Sequence, residues 1–348
     1  MTPSRPATTI EEFVQRLSSR GLLLSVSGAG EFGDAGGVTG GVVSDSRNVT
    51  AGCVFVAIRG DVHDGHRYVA EAVSRGAAAV VVEGETGSWP GTPVMRVSDS
   101  RKALAQLAAA WYGDPAQSVR VTGVTGTNGK TTTAWLLAQA LEKAGQPCGY
   151  VGTIGYGRAG NLQDATHTTP GADALQALLA SLRDEGCSAA AIEASSHAID
   201  QHRTASIPFA AAVFTNLTRD HLDYHGDTQS YLNAKARLFE ELGPDAVSAI
   251  NIDDEAGRAI AGRSAGQVIP YGRGAEAAVR FSIRSDGPSG LKLRLDGHDV
   301  NVGLSGAFNA YNLAGAYAAL QAYGLSRPKG WTRSPLRNRH LGGFRFFA

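Results

Sequence analysis

The residues best placed to do chemistry are Gly126-Thr127-Asn128-Gly129-Lys130-Thr131-Thr132. Two glycines let a backbone approach a polyphosphate and turn its N–H groups inward. Lys130 adds a point charge, and the Thr131 hydroxyl can ligate Mg²⁺. Such a loop works between a strand and a helix N-terminus, whose dipole adds positive potential. The flanking sequence supplies both. Val119 begins an alternating apolar run, and Lys130 opens a segment whose apolar stripe is Trp135, Leu136, Leu137, Ala138 and Leu141, closed by Gly145. Strict phosphate-loop spacing asks for glycine at 124, where this chain has Val124. The arrangement is read as a nucleotide site.

Further polar groups follow other apolar runs. Glu193 succeeds Ala189–Ile192, and a carboxylate at the exit of a buried strand needs a partner: Mg²⁺ beside a nucleotide, or the start of the next helix, which it would cap. After Ala211–Phe214 come Asp220, His221, Asp223 and His225. His221 and His225 have the i, i+4 spacing of zinc ligands, which would make a metallohydrolase. Against that, no Glu between them could serve as general base, and the phosphate loop would have no role. Lys235 lies on the following helix, whose apolar positions are Tyr231, Leu232, Leu238 and Phe239; by spacing alone it reads as a solvated lysine. Ser44-Asp45-Ser46-Arg47 and Gly60–His66 read alone as turn chemistry.

The elements that must position these groups read as α/β throughout. With 348 residues the chain should hold two domains, and 43% hydrophobic residues suffice for real cores. Residues 1–98 read as a small α/β domain. A helix starts at Thr9 with Phe13, Val14 and Leu17 buried. Strands lie at Val42-Val43, Val54–Ile58 and Ala78–Val82, with a helix from Tyr68 to Arg75 and a loop over Gly84–Pro93. Residues 99–325 read as a nucleotide domain, introduced by the helix Asp99–Tyr112. Apolar runs at 149–154, 189–192, 211–214, 246–250 and 268–270 alternate with helical patterns, which predicts a mostly parallel sheet covered on both faces. Ligands then belong at the carboxyl ends of its strands.

The bulk properties narrow the partners. A net charge of +0 gives no argument for nucleic acid or an anionic membrane. Cys53, Cys148 and Cys187 are too scattered for a disulfide framework or metal site, as in a reducing cytoplasm. With no signal-peptide or membrane-span pattern, the expectation is a soluble, cytoplasmic monomer.

Taken in order, SDSR, FVAIRG, DGH, GVTGTNGKTTT, HTTPGADALQ, EASSHAIDQHR, FTNLTRDHLDYHG, YLNAKARLF and GAFNAYN resemble the Mur ligases, ATP-dependent enzymes that build the peptide of peptidoglycan. The resemblance covers about Val42 to Leu325 and is nearest the members that add the third residue. It implies an N-terminal UDP-sugar domain followed by an ATPase domain. Ser44, Ser46, Asp61, Val62 and His63 match positions that hold the uridine end. Thr168, Thr169, Ser195, Gln201 and Arg203 match contacts to the muramoyl-peptide portion. Gly126 to Thr132 match the ATP loop, and Asn309 an asparagine near adenine. Glu193 and His221 match Mg²⁺ ligands that Thr131 should join. Lys235 matches a lysine carbamylated in the family (N6-carboxylysine), which inverts its charge beside Mg²⁺. Lys130, Glu193, His221 and Lys235 would be the catalytic set.

The implied reaction activates the D-Glu carboxylate of UDP-MurNAc-L-Ala-D-Glu as an acyl phosphate and couples it to diaminopimelate or lysine. The chain departs from the family past Gly324. The third, C-terminal domain is expected to be missing, with ligation poor as a result, and residues 326–348 form a basic tail expected to be disordered. Two other readings stand beside this one: a non-catalytic UDP-sugar and ATP-binding remnant, and a folylpolyglutamate-synthetase-like ligase, against which the SDSR and HTTPG motifs argue.

Overall fold

The computed structural model describes residues 8–28, 37–60, 63–84, 87, 89–158 and 160–325. Asp61, Val62 and the basic tail lie outside the described residues. The chain divides into two units. One runs to Ser118 and includes Pro170–Ser181 and Gln201–Ile207; the other holds Val119–Thr169, Leu182–Asp200 and the chain from Pro208.

The first unit carries a five-stranded sheet of β1 (Leu23–Ser27), β2 (Val42–Val43), β3 (Val54–Val56), β4 (Ala79–Val82) and β5 (Val94–Val97), in the order β1-β5-β4-β3-β2. Only β1 runs antiparallel to its neighbour. Alternation sorts the side chains. Val54, Val56, Ala79, Val81, Met95 and Val97 face α1 (Ile10–Ser19) and a later helix, whereas Phe55, Val80, Val82 and Val94 pack with α2 (Val69–Ser74). Thr9 caps α1 in a reciprocal capping box with Glu12.

That later helix, α3 (Ser100–Trp111), corrects the boundary expected at 98/99. Ala103, Leu104, Ala105 and Leu107 join the core of α1 and the first sheet, so the helix belongs to the first unit. Pattern reading finds the helix but not the face it packs on.

The second unit is built on an eleven-stranded sheet. Its strands are β6 (Arg120–Thr125), β7 (Cys148–Gly152), β8 (Gly155–Arg158), β9 (Asn161–Gln163), β10 (Ala189–Glu193), β11 (Phe209–Phe214), β12 (Val247–Asn251), β13 (Gln267–Gly272), β14 (Val279–Gly287), β15 (Gly290–Leu295) and β16 (His298–Val302). Their order is β16-β15-β14-β13-β12-β11-β6-β10-β7-β8-β9. The run from β14 to β7 is parallel, as expected; β8–β9 and β15–β16 add antiparallel flanks that apolar runs alone did not reveal.

The helices of this unit are α4 (Lys130–Lys143), α6 (Ser196–Asp200), α7 (Leu222–His225), α8 (Thr228–Glu240), α9 (Glu255–Ala261) and α10 (Ala307–Ala319); α5 (Ala172–Asp184) precedes α6, and its residues through Ser181 group with the first unit. Ala211 and Val213 pack toward α4 and α10, while Ala212 and Phe214 pack toward α8 and α9. The sheet is thus covered on both faces. Among the described residues no helix is long and apolar enough to cross a membrane.

Leu137 on α4 is fully buried in the core beneath the central strands. Leu137→Ala should cost about 2–5 kcal/mol of stability. Urea unfolding showing a loss under about 1 kcal/mol would mean that this helix does not seal the sheet.

Candidate functional site

The strand order reverses around β6: the chain crosses from β6 to β7 on one side and later returns to β11 on the other. The carboxyl ends of β6, β10 and β11 therefore meet where an open α/β sheet offers its ligand crevice. Glycine is required at both loop positions that hold it. Gly126 and Gly129 have φ of 145° and 85°. A Cβ at Gly126 would collide with Thr215 Oγ1, and one at Gly129 with Asn312 Oδ1. Val124, where strict spacing wanted glycine, is a fully buried residue of β6, ahead of the turn.

The loop is braced by the segment after β11. Thr127 N donates to Asn216 O (2.8 Å) and Asn128 N to Asn216 Oδ1 (3.0 Å). Thr215 Oγ1 and Asn216 Nδ2 donate to Asn128 O at 2.6 and 3.1 Å, and Thr218 N to Thr127 Oγ1 at 2.9 Å. The Thr127 and Asn128 amides, expected to face phosphate, are thus committed to Asn216. The N–H groups at the start of α4 have no intrahelical acceptor, and an anion can use those.

Two lysines converge on this loop. Lys130 Nζ donates to Gly126 O (2.9 Å) and Thr127 O (2.8 Å). Lys235 Nζ donates to the same Gly126 O at 3.0 Å and lies 4.3 Å from the Tyr231 ring centroid. Lys235 is buried, not the solvated lysine that spacing predicted. A signal was available: Tyr231, Ala234, Lys235, Leu238 and Phe239 sit at i, i+3, i+4, i+7 and i+8, so the lysine interrupts an apolar stripe. Burial pushes the Lys235 ammonium well below the ordinary lysine range, and Lys130 adds to the shift. Burial also lowers Lys130, opposed by Glu193 and Asp220.

Glu193, at the end of β10, is buried. Its Oε2 accepts from Thr131 Oγ1 (2.9 Å) and Thr153 Oγ1 (3.3 Å); its Oε1 accepts from Thr153 N (2.9 Å) and the Tyr150 hydroxyl. Glu193 caps no helix here, since Ser195 Oγ accepts from Ala198 N at the start of α6. The Thr131–Glu193 pair offers hard oxygens of the kind Mg²⁺ takes while keeping water and phosphate in its remaining positions.

The histidine loop lacks the geometry that its spacing suggested. Among the described residues no group of three His, Cys, Asp or Glu side chains could hold a metal alone. His221 is exposed, has φ of 52° and meets His197 edge-on at 4.9 Å; His225 Nε2 bonds Ser196 Oγ at 3.0 Å. Burial, chiefly, holds His225 below its ordinary pKa.

The remaining candidates fall in both units. Within the second, Thr169 Oγ1 donates to Glu193 O (2.5 Å) and accepts from Ser195 N (3.1 Å), and Thr168 Oγ1 lies 3.2 Å from Thr153 Oγ1. Asn309 is buried, with its amide bonded to Ser305 O (2.8 Å) and Asn312 Nδ2 (3.0 Å). The second asparagine of the motif, Asn312, had no role by sequence, yet it is the one against Gly129. Within the first unit, Ser44 Oγ lies 3.4 Å from Asp173 Oδ2, Ser46 starts a 3₁₀ turn capped by Asp45, His63 is exposed, and Arg203 bonds Gln201 Oε1 at 2.8 Å.

Family models describing the Mur ligase family catalytic domain and the Mur ligase middle domain match residues 39–112 and 124–320. A UDP-N-acetylmuramoyl-L-alanyl-D-glutamate--2,6-diaminopimelate ligase from Geobacter sulfurreducens is 46% identical over 298 residues, 82% of this chain and 58% of that one. A solved structure of a ligase of the same name superposes with a TM-score of 0.72 at 31% identity, covering 82% of this chain and 60% of the other. A Mycobacterium tuberculosis folylpolyglutamate synthase complexed with ADP shares the fold at a TM-score of 0.52 and 20% identity, over 64% of this chain and 58% of that one. The chain thus spans 58% of the length of the curated relative and 60% of the solved ligase.

A side chain at 129 would meet both a left-handed backbone and Asn312. Gly129→Ala should cost about 1–3 kcal/mol from conformation alone, with the collision added. Combining it with Asn312→Ala removes the collision, so the double variant should lose less stability than the two singles summed. Additive losses in denaturant melts would contradict the contact.

Proposed function

The chain belongs to the Mur ligase family of ATP-dependent amide ligases, and from that premise we propose that it serves addition of the third residue to UDP-MurNAc-L-Ala-D-Glu. The observation that carries this reading is the gathering of Lys130, Lys235 and the Thr131–Glu193 pair around one glycine loop. An ATP-dependent ligase must neutralise a triphosphate and hold its γ-phosphoryl group in line with a carboxylate. Phosphoryl transfer needs mainly positioning and charge stabilisation.

In this reading the loop Gly126 to Thr132 forms the phosphate cradle, with the amides at the start of α4 facing the anion while Thr127 and Asn128 brace the loop against Asn216. Lys130 releases the Gly126 and Thr127 carbonyls to face the β- and γ-phosphates. Thr131 and Glu193, with His221 and a carbamylated Lys235, would hold Mg²⁺. When bound, that ion supplies charge neutralisation at the transferring phosphoryl group. Burial favours the uncharged amine of Lys235, the form able to take up CO₂ as a carbamate. Asn309 fixes the start of α10 beside the nucleotide.

Transfer of the γ-phosphoryl group to the D-Glu side-chain carboxylate would give an acyl phosphate and ADP; the neutral amine of a diamino acid would then displace phosphate and lose a proton as the amide forms. Ser44, Ser46, Asp61, Val62 and His63 would take the uridine end, and Thr168, Thr169, Ser195, Gln201 and Arg203 the muramoyl-peptide portion. The three cysteines are buried free thiols, as suits a cytoplasmic enzyme.

Calorimetry tests the reading directly. Mg-ATP and UDP-MurNAc-L-Ala-D-Glu should each bind, and a folate should not; folate binding without a response to the UDP-sugar would overturn it. Lys130→Ala should abolish the thermal shift given by Mg-ATP and leave the UDP-sugar response intact. Ser46→Ala should weaken UDP-sugar binding by about 1 kcal/mol, one lost hydrogen bond. An unchanged affinity would remove Ser46 from the site.

A further inference from the structure

One buried polar group beside the phosphate loop has no role in the reading above. Tyr150 on β7 is fully buried, and its ring meets Trp135 edge-on at 5.4 Å. Parallel pairing aligns Tyr150 with Ala191, two residues before Glu193, and its hydroxyl donates to Glu193 Oε1. Gly152 leaves room for this pair: a Cβ there would collide with both Glu193 Oε1 and the Tyr150 hydroxyl.

The two carboxylate oxygens are held differently. Oε1 has the Thr153 amide, fixed by the backbone just past β7, and the Tyr150 hydroxyl, on a ring locked by packing. Among the described residues Oε2 has the Thr131 and Thr153 hydroxyls, which can turn about their Cβ–Oγ bonds. We propose that Tyr150 is a positioning residue that pins Oε1 and thereby presents Oε2 alone, together with the Thr131 oxygen, to the cation at the nucleotide phosphates. The proposal rests on the reading of Glu193 as a cation ligand.

The physical reason is geometric. Mg²⁺ demands near-ideal octahedral geometry at about 2.0–2.1 Å. A carboxylate free to rotate would need ordering on each binding event; one already held through Oε1 does not. Hydrogen-bond partners behind a metal ligand typically change metal affinity or activity by about 10–100-fold.

The test uses Mn²⁺ as a paramagnetic probe with a non-hydrolysable ATP analogue on the full chain. Tyr150→Phe keeps the ring and removes only the donor. It should weaken Mn²⁺ affinity of the nucleotide complex about tenfold or more. Affinity for the metal-free nucleotide should not change, and the substitution should have no added effect in a Glu193→Gln background. Unchanged Mn²⁺ affinity in Tyr150→Phe, with loss in Glu193→Gln, would overturn the role of Tyr150 and leave that of Glu193 standing. No loss in Glu193→Gln would overturn the underlying reading. Equal loss of metal-free nucleotide affinity would make Tyr150 a packing residue and overturn the proposal as well. If the Phe variant does not fold, 3-fluorotyrosine at 150 in the otherwise native chain gives a second readout. Its ¹⁹F resonance should shift when Mg²⁺ joins the nucleotide complex, and an unmoved resonance overturns the proposal.

Discussion

Two lysine side-chain nitrogens share one carbonyl oxygen, that of Gly126, at 2.9 and 3.0 Å. Much else in the second unit follows from this. Like charges brought together away from water repel strongly, because little solvent remains to screen them. The protein offsets this partly with Glu193 and Asp220, which favour the charged form of Lys130, and partly by pushing Lys235 toward its neutral form. What remains is a cationic, partly desolvated loop at the end of a buried strand. In the proposed reading an incoming polyphosphate would complete its electrostatics, with Lys130 giving up the Gly126 and Thr127 carbonyls to reach it.

Such a loop must be stiff, and its stiffness comes from elements far apart in sequence. The segment after β11 holds the Thr127 and Asn128 backbone, while Asn312 on α10 fills the space that a side chain at 129 would need. β6 can meet both because it is central in the sheet, between β11 and β10. The glycines therefore do two jobs. They allow positive φ, and they admit neighbours that fix the loop's shape.

The legible parts of the chain were those written locally. Central strand segments such as Ala211–Phe214 are buried on both faces and read as continuous apolar runs. The strand–glycine loop–helix order carries its own chemistry, so Gly126 to Thr132 could be found directly. Strands β14 and β15 do alternate, at Val279, Phe281 and Ile283 and at Leu291, Leu293 and Leu295, but continuous apolar runs do not pick out a half-exposed strand. Spacing alone makes Lys235 a surface lysine until its place on the apolar stripe of its helix is counted. Tyr150 is different: no spacing could reveal it, since its meeting with Glu193 depends on the register of β7 against β10.

The SDSR segment shows how few of a turn's residues need carry its geometry. Turn chemistry predicts a capped turn, and one is present. Asp45 accepts from the Arg47 amide at 2.9 Å and holds its guanidinium, which keeps the Asp45 carboxyl below the usual range. The capping is done by Asp45, however, so Ser44 and Ser46 are not needed to make the turn. Their hydroxyls are placed by it instead. In the proposed reading those hydroxyls then remain for the uridine end, a division of labour that residue types alone do not show.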